Sequence, residues 1–145
     1  MKQKYILLVE DNPDEELLSK RLLEQQGIFR EVMVAHDGQE ALHNLFRNQD
    51  EDNQDKVELP SLILLDLNLP KINGLEVLRH LRAHPRTQLI PVVVFTSSAE
   101  DRDIAAAYEL GANSYIQKSI DFDEFSESLR RICAYWGVLN TFLPA

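Results

Sequence analysis

The 145-residue sequence has one cysteine, a deficit of basic residues and no long apolar run, and each shortage excludes a class of protein. Because Cys133 has no partner for an internal disulfide, the sequence predicts a reducing, cytoplasmic location. Fifteen lysines and arginines against 24 acidic residues give a net charge of −9, which argues against nucleic acid or anionic membrane as a partner. The apolar run Tyr5–Val9 is too short for a signal peptide or a membrane span.

Short apolar segments rich in strand formers alternate with segments of helical periodicity along the rest of the chain. Between Pro13 and Gly27, for example, leucines recur at helical spacing, with capping residues before them. Continuous apolar strands are typical of a parallel sheet covered by helices on both faces, so we predict a single α/β domain. An acid-rich stretch, 48–60, is predicted to be a solvated loop. The predicted strands are 5–9, 32–35, 62–65, 91–95 and 115–116.

Acidic and polar residues follow four of these strands. Glu10 and Asp11 come after the first strand, Asp66 after the third, Thr96 after the fourth and Lys118 shortly after the fifth. Ligands of open parallel sheets bind beyond the carboxyl ends of the strands. We therefore expect these five side chains to converge at one edge of the sheet.

The chemistry of this group predicts a metal-assisted phosphoacceptor. Three carboxylates held close together repel one another, and a hard divalent cation such as Mg²⁺ relieves that repulsion. An ionised Asp66 beside the cation is a nucleophile of the kind that forms aspartyl phosphates. Lys118 and the Thr96 hydroxyl are candidates to stabilise the transferring phosphoryl group, and the backbone carbonyl of Asn68 is a candidate fourth metal ligand.

The combined pattern resembles the receiver domain of two-component response regulators. Asp66 precedes Thr96 by 30 residues, and Thr96 precedes Lys118 by 22. The residues that carry the resemblance are Glu10-Asp11, Asp66 within Leu65-Asp66-Leu67-Asn68-Leu69-Pro70, Gly74, Thr96-Ser97 and Lys118.

This resemblance implies a fold, a reaction and a switch. The implied fold is a doubly wound, flavodoxin-like, five-stranded parallel sheet in the order 2-1-3-4-5, with the receiver domain spanning 1–134. The implied reaction is Mg²⁺-dependent transfer of a phosphoryl group from a sensor histidine kinase to Asp66, with Glu10, Asp11, Asp66 and Asn68 as metal ligands. Thr96 and the aromatic residue Tyr115 would form the switch that reports phosphorylation.

Several further segments are similar to stand-alone cyanobacterial phytochrome response regulators. They imply that the kinase is a light-sensing phytochrome and that the output is an unknown downstream protein or a homodimer. The extension 135–145 is too apolar for a free tail, so we predict that it packs on the domain or on a second copy. The similar segments are the acidic loop, Thr96–Asp101, Tyr115–Lys118, Asp121-Phe122 and Tyr135-Trp136.

One departure from the family pattern leaves alternatives open. Ser119 follows Lys118 where the family usually has proline, so the peptide between them is either cis or trans, and the reach of Lys118 to the phosphate is undecided. A receiver that acts as a phosphate-independent scaffold is therefore one alternative. Another is a phosphatase with an aspartyl nucleophile, but such enzymes usually need a second acid where Asn68 stands. We expect a signalling protein rather than an enzyme.

Two expectations concern residues outside this group. We expect the four histidines, His36, His43, His80 and His84, to lie away from the strand ends. We expect the apolar stripe formed by Phe122, Phe125, Leu129, Ile132 and Trp136 to be mostly core.

Overall fold

Strands and helices alternate five times in the computed structural model, which describes residues 4–46 and 58–144. Most of the predicted acidic loop, 48–57, lies outside the described residues. The strands are β1 Tyr5–Val9, β2 Glu31–Ala35, β3 Leu62–Leu65, β4 Val92–Thr96 and β5 Ser114–Gln117. The helices are α1 Pro13–Gln26, α2 Gly38–Phe46, α3 Gly74–Ala83, α4 Asp101–Glu109 and α5 Phe122–Ile132, which continues as a π-helix over Cys133–Leu139.

The five described strands form one parallel sheet in the order β2-β1-β3-β4-β5. This confirms the predicted doubly wound fold. Chain order and sheet order differ at β1, which lies between β2 and β3. The chain therefore leaves neighbouring strands in opposite directions, and a crevice opens at the carboxyl ends of β1 and β3.

Alternate residues of each central strand enter separate cores on the two faces of the sheet. Ile6 and Leu8 of β1 pack with side chains of α1 and α5, whereas Leu7 and Val9 pack with side chains of α2 and α3. All four side chains are buried, as the continuous apolar runs predict. The sheet is thus held from both sides, and its strand ends form a rigid platform.

The first helix begins as its sequence predicts. The Asn12 side chain accepts hydrogen bonds from the backbone N–H groups of Asp14 and Glu15, and Pro13 opens the helix. Gly27 ends the helix in the left-handed conformation, with a φ of 65°. This cap fixes the first turn of α1 beside the end of β1.

The predicted apolar stripe of the last helix is wrong at its first residue. Phe122 opens α5 directly after the cap Asp121, and 59% of it is exposed. Further along, Trp136 and Phe142 pack against the core beside α1 and α5, while Tyr135 and Leu139 are exposed. The extension therefore has one packed and one exposed side. No helix in the described ranges is long and apolar enough to cross a membrane.

Candidate functional site

Three carboxylates meet at the carboxyl ends of β1 and β3. Oxygen atoms of Glu10, Asp11 and Asp66 all lie within 4.8 Å of one another. The pairing of the two strands sets this arrangement, because the Asp66 N–H donates to the carbonyl of Val9, 3.1 Å away. Glu10 and Asp66 are buried, whereas Asp11 is exposed. The cluster therefore has two buried carboxylates and one carboxylate that faces solvent.

Lys118 enters this cluster from the end of β5. Its Nζ lies 2.5 Å from Glu10 Oε1, 2.9 Å from Asp66 Oδ2 and 2.8 Å from Glu15 Oε1. The Lys118 N–H donates to the carbonyl of Thr96 at 2.7 Å, which anchors the lysine backbone against β4. Lys118 thus reaches Asp66, and its side chain is only 5% exposed.

The peptide between Lys118 and Ser119 is trans. Ser119 fixes the turn with its side chain, since its Oγ donates to Glu124 Oε2 at 2.7 Å and accepts from the Asp121 N–H at 3.0 Å. Asp121 in turn caps α5 by accepting from the backbone of Asp123 and Glu124. Ser119 thus makes two hydrogen bonds at the position where the resemblance leads one to expect proline. Sequence reasoning missed them, although Ser119 two residues before a capping acid was a visible signal.

Burial and the charge of the partner residue have opposite effects on the pKa values of Glu10 and Lys118. Burial raises the pKa of Glu10 to about 7, which Asp66 reinforces and Lys118 opposes. Burial lowers the pKa of Lys118, but the carboxylates of Asp66 and Glu10 raise it more, so it stays above its usual value. Lys118 therefore remains charged, and its single ammonium group faces three acidic side chains.

The two predicted switch residues meet at the loop that follows β4. Thr96 is fully buried, and its hydroxyl accepts from the Ser98 N–H at 3.5 Å. The Tyr115 hydroxyl donates to the Ser98 carbonyl at 2.9 Å, and the Ser98 hydroxyl donates to Asp103 of α4 at 2.6 Å. Ser98, which sequence reasoning did not select, therefore links both residues to α4.

The loop after Asp66 lies directly against the acid. The Asn68 N–H donates to Asp66 Oδ1 at 3.1 Å, whereas the role of the Asn68 carbonyl as a metal ligand stays a prediction. Gly74, at the start of α3, packs against this loop so closely that an added Cβ would lie 2.3 Å from the Asp66 carbonyl oxygen. A glycine at this position lets α3 begin beside the acid.

The prediction that all four histidines lie away from the strand ends is wrong for His36. His36 follows β2 directly, and its Nε2 and Nδ1 lie 2.7 Å from Glu16 and 3.1 Å from Glu40, respectively. The residue is a link between α1 and α2 rather than part of the acidic cluster.

A family model described as the response regulator receiver domain matches residues 6–130. The chain belongs to this family of two-component signalling proteins. It is 38% identical over 142 residues to Response regulator Rcp1 of Synechocystis sp., a match that covers 98% of this chain and 94% of that protein.

Solved structures of two cyanobacterial relatives superpose on nearly the whole chain. The Mn²⁺-bound form of Rcp1 matches with a TM-score of 0.87 over 98% of this chain and 99% of that one. The phosphorylated cyanobacterial phytochrome response regulator RcpA, 36% identical, matches with a TM-score of 0.89 over 99% of this chain and all of the other. The chain is thus a response regulator homologous to phytochrome response regulators, and the predicted family is confirmed.

Proposed function

We propose that the chain is a phosphorylation-controlled switch in which Asp66 accepts a phosphoryl group from a sensor histidine kinase. The observation that carries the proposal is the contact of Lys118 Nζ with Asp66 Oδ2, 2.9 Å, inside a cluster of converging carboxylates. An acidic nucleophile beside cation ligands and an ammonium group is the arrangement that phosphoryl transfer requires.

The donor set fits Mg²⁺, since it offers carboxylate oxygens, which hard divalent cations prefer. Glu10, Asp11, Asp66 and the Asn68 carbonyl would hold the ion, which when bound neutralises charge on the transferring group. Asp11, the exposed member of the cluster, is open to solvent. The buried Glu10 and Asp66 hold their oxygens in fixed positions.

The transfer step conserves atoms and charge. An oxygen of the Asp66 carboxylate attacks the phosphorus of a phosphohistidine, an oxygen–phosphorus bond forms and the phosphorus–nitrogen bond breaks. The electron pair of the broken bond stays on the imidazole nitrogen of the kinase. Lys118 and the Thr96 hydroxyl donate to the phosphoryl oxygens, over which the negative charge spreads.

The output follows from the shared contacts of the switch residues. The phosphoryl group carries about −1.5 to −2 charge where the carboxylate carried a single charge, and its oxygens attract the Thr96 hydroxyl. Because Thr96 and Tyr115 both bond to Ser98, a shift of Thr96 changes the loop that leads to α4. A downstream protein, or a second copy of the chain, then binds the changed surface.

The partner and setting follow from similarity. The similarity to the phytochrome response regulator RcpA supports a phytochrome as the histidine kinase, and the lone, buried Cys133 supports a reducing cytoplasm. The exposed apolar residues Tyr135, Val138, Leu139 and Leu143 support a homodimer contact in the extension 135–145. The chain signals rather than turning over phosphate esters, because Asn68 cannot serve as the general acid of a phosphatase.

The test is incubation with acetyl phosphate, with Mg²⁺ or with a chelator, followed by intact-mass measurement. We expect a gain of one phosphoryl group that needs the metal and is absent from Asp66→Asn. A wild-type chain that gains no mass from acetyl phosphate, and none from a phosphorylated phytochrome kinase, would instead support the phosphate-independent scaffold.

A further inference from the structure

We propose that Glu15 is a positioning residue that competes with the phosphoryl group for Lys118 and so weakens the phosphorylated state. This inference rests on the proposed function. Lys118 Nζ contacts three carboxylates, those of Glu10, Glu15 and Asp66, at 2.5, 2.8 and 2.9 Å. A lysine ammonium has only three N–H donors, so these partners use its full capacity.

Glu15 differs from the other two partners of Lys118. Glu10 and Asp66 belong to the acidic cluster that fits a cation, and their side chains are 3% and 9% exposed. Glu15 lies outside that cluster, on the first turn of α1, and its side chain is 37% exposed. Glu15 is therefore the partner of Lys118 that has no part in holding the cation.

The backbone of α1 fixes this position. The Asn12 side chain accepts from the Glu15 N–H at 3.1 Å, which sets the first turn beside the end of β5. Glu15 and Lys118 then line the same open groove, of about 360 Å³, together with Ser97 and Ile120. An anion within this groove therefore lies near the Glu15 carboxylate.

A phosphoryl oxygen can accept from Lys118 only if one of the three carboxylates gives up its contact. Glu15 is the least costly to displace, because water can solvate its exposed oxygens, whereas the two buried acids would remain desolvated. The Glu15 charge therefore opposes the phosphoryl group twice, by holding the lysine and by repelling the anion.

The variant Glu15→Gln keeps the shape of the side chain and removes its charge. Glu16→Gln is the matched control, since it makes the same charge change on the next residue of α1, where the carboxylate contacts His36 at 2.7 Å. Two quantities are measured at saturating Mg²⁺. One is the affinity for beryllofluoride, a phosphoryl mimic made from beryllium chloride and sodium fluoride, and the other is the phosphorylation rate against acetyl phosphate concentration.

We expect Glu15→Gln to bind beryllofluoride about fivefold more tightly than Glu16→Gln, which corresponds to the loss of one charge about 4 Å away in water. The half-saturating concentration of acetyl phosphate should fall, with little change in the maximal rate. A variant that merely loosened the fold would not lower the half-saturating concentration while leaving the maximal rate unchanged. Glu15→Asp, which retains the charge, should stay closer to wild type than Glu15→Gln does.

Equal beryllofluoride affinities in the two glutamine variants, or weaker binding in Glu15→Gln, would overturn the role of Glu15 while leaving the proposed function intact. A wild-type chain that neither binds beryllofluoride nor takes up phosphate would contradict the proposed function, and the inference with it.

Discussion

Replacing Gly74 by alanine should disable Asp66 without touching its side chain. An alanine Cβ at this position would lie 2.3 Å from the carbonyl oxygen of Asp66 and 2.6 Å from Leu67 Cα. Ordinary contacts begin at 3.4 Å, so the first distance is about 1.1 Å too short. Both atoms belong to the backbone and cannot rotate away. Either the loop after β3 or the start of α3 must therefore move by roughly an ångström.

The expected cost has two parts. Overpacking of this kind lowers the free energy of unfolding by about 1–3 kcal/mol, which chemical denaturation measures. A misplacement of about 1 Å at a reacting group can slow a reaction by about a hundredfold, so phosphorylation by acetyl phosphate should slow by a comparable factor. The rate is followed by intact mass at saturating Mg²⁺.

Gly27→Ala is the control for loss of a glycine. Gly27 has a φ of 65°, and an added Cβ would meet no atom within 4 Å, so the variant carries backbone strain of roughly 1–2 kcal/mol without a clash. Its phosphorylation rate should equal that of wild type. If Gly74→Ala were as stable as wild type and took phosphate equally fast, the packing of α3 would not be what positions Asp66.

Three further substitutions test other contacts of Lys118, Tyr115 and His36. Lys118→Met should reduce the unfolding free energy by about 3–5 kcal/mol in metal-free buffer and abolish phosphorylation, and unchanged stability by denaturation would contradict the buried ion pairs. Tyr115→Phe, which loses the 2.9 Å hydrogen bond to Ser98, should lower the unfolding free energy by about 0.5–1.5 kcal/mol and still take up phosphate. A full loss of phosphate uptake would instead make Tyr115 part of the reaction. For His36, burial lowers the pKa, but Glu40 and Glu16 raise it more, so the folded pKa lies above the unfolded one. The stability that charged His36 contributes is present below the unfolded pKa of about 6.5 and is lost as the pH rises through the folded pKa. His36→Gln should therefore lower the melting temperature in acid but not in alkaline buffer. An equal change in both buffers would refute this link.

The sequence was enough to predict a parallel α/β sheet with acids at one edge, whereas the strand order was implied by the resemblance to receiver domains. Continuous apolar strands specify a parallel sheet, and the polar side chains that follow its strands must then lie at one edge of it. The resemblance also implied that β1 and β3 are neighbours, and their adjacent ends bring Glu10, Asp11 and Asp66 together.

Contacts between residues on separate elements were beyond the sequence. The sequence left open whether Lys118 reaches Asp66, because Ser119 stands where proline was expected. The hydrogen bond from Ser119 to Glu124 forms only once α5 is in place, so it could not be predicted from the sequence. The sequence pattern did not single out Glu15, because its contact with Lys118 depends on how α1 meets the end of β5. Phe122 fits the apolar period of α5, but its position in the first turn leaves it beside the open groove.

The central claim is that the carboxylate of Asp66 itself carries the phosphoryl group. After incubation with acetyl phosphate and Mg²⁺, borohydride reduces an aspartyl phosphate to the alcohol, and tandem mass spectrometry of the digested chain locates it. We predict reduction at Asp66, dependent on both acetyl phosphate and the metal. Reduction or phosphate at another residue, with Asp66 unmodified, would contradict it.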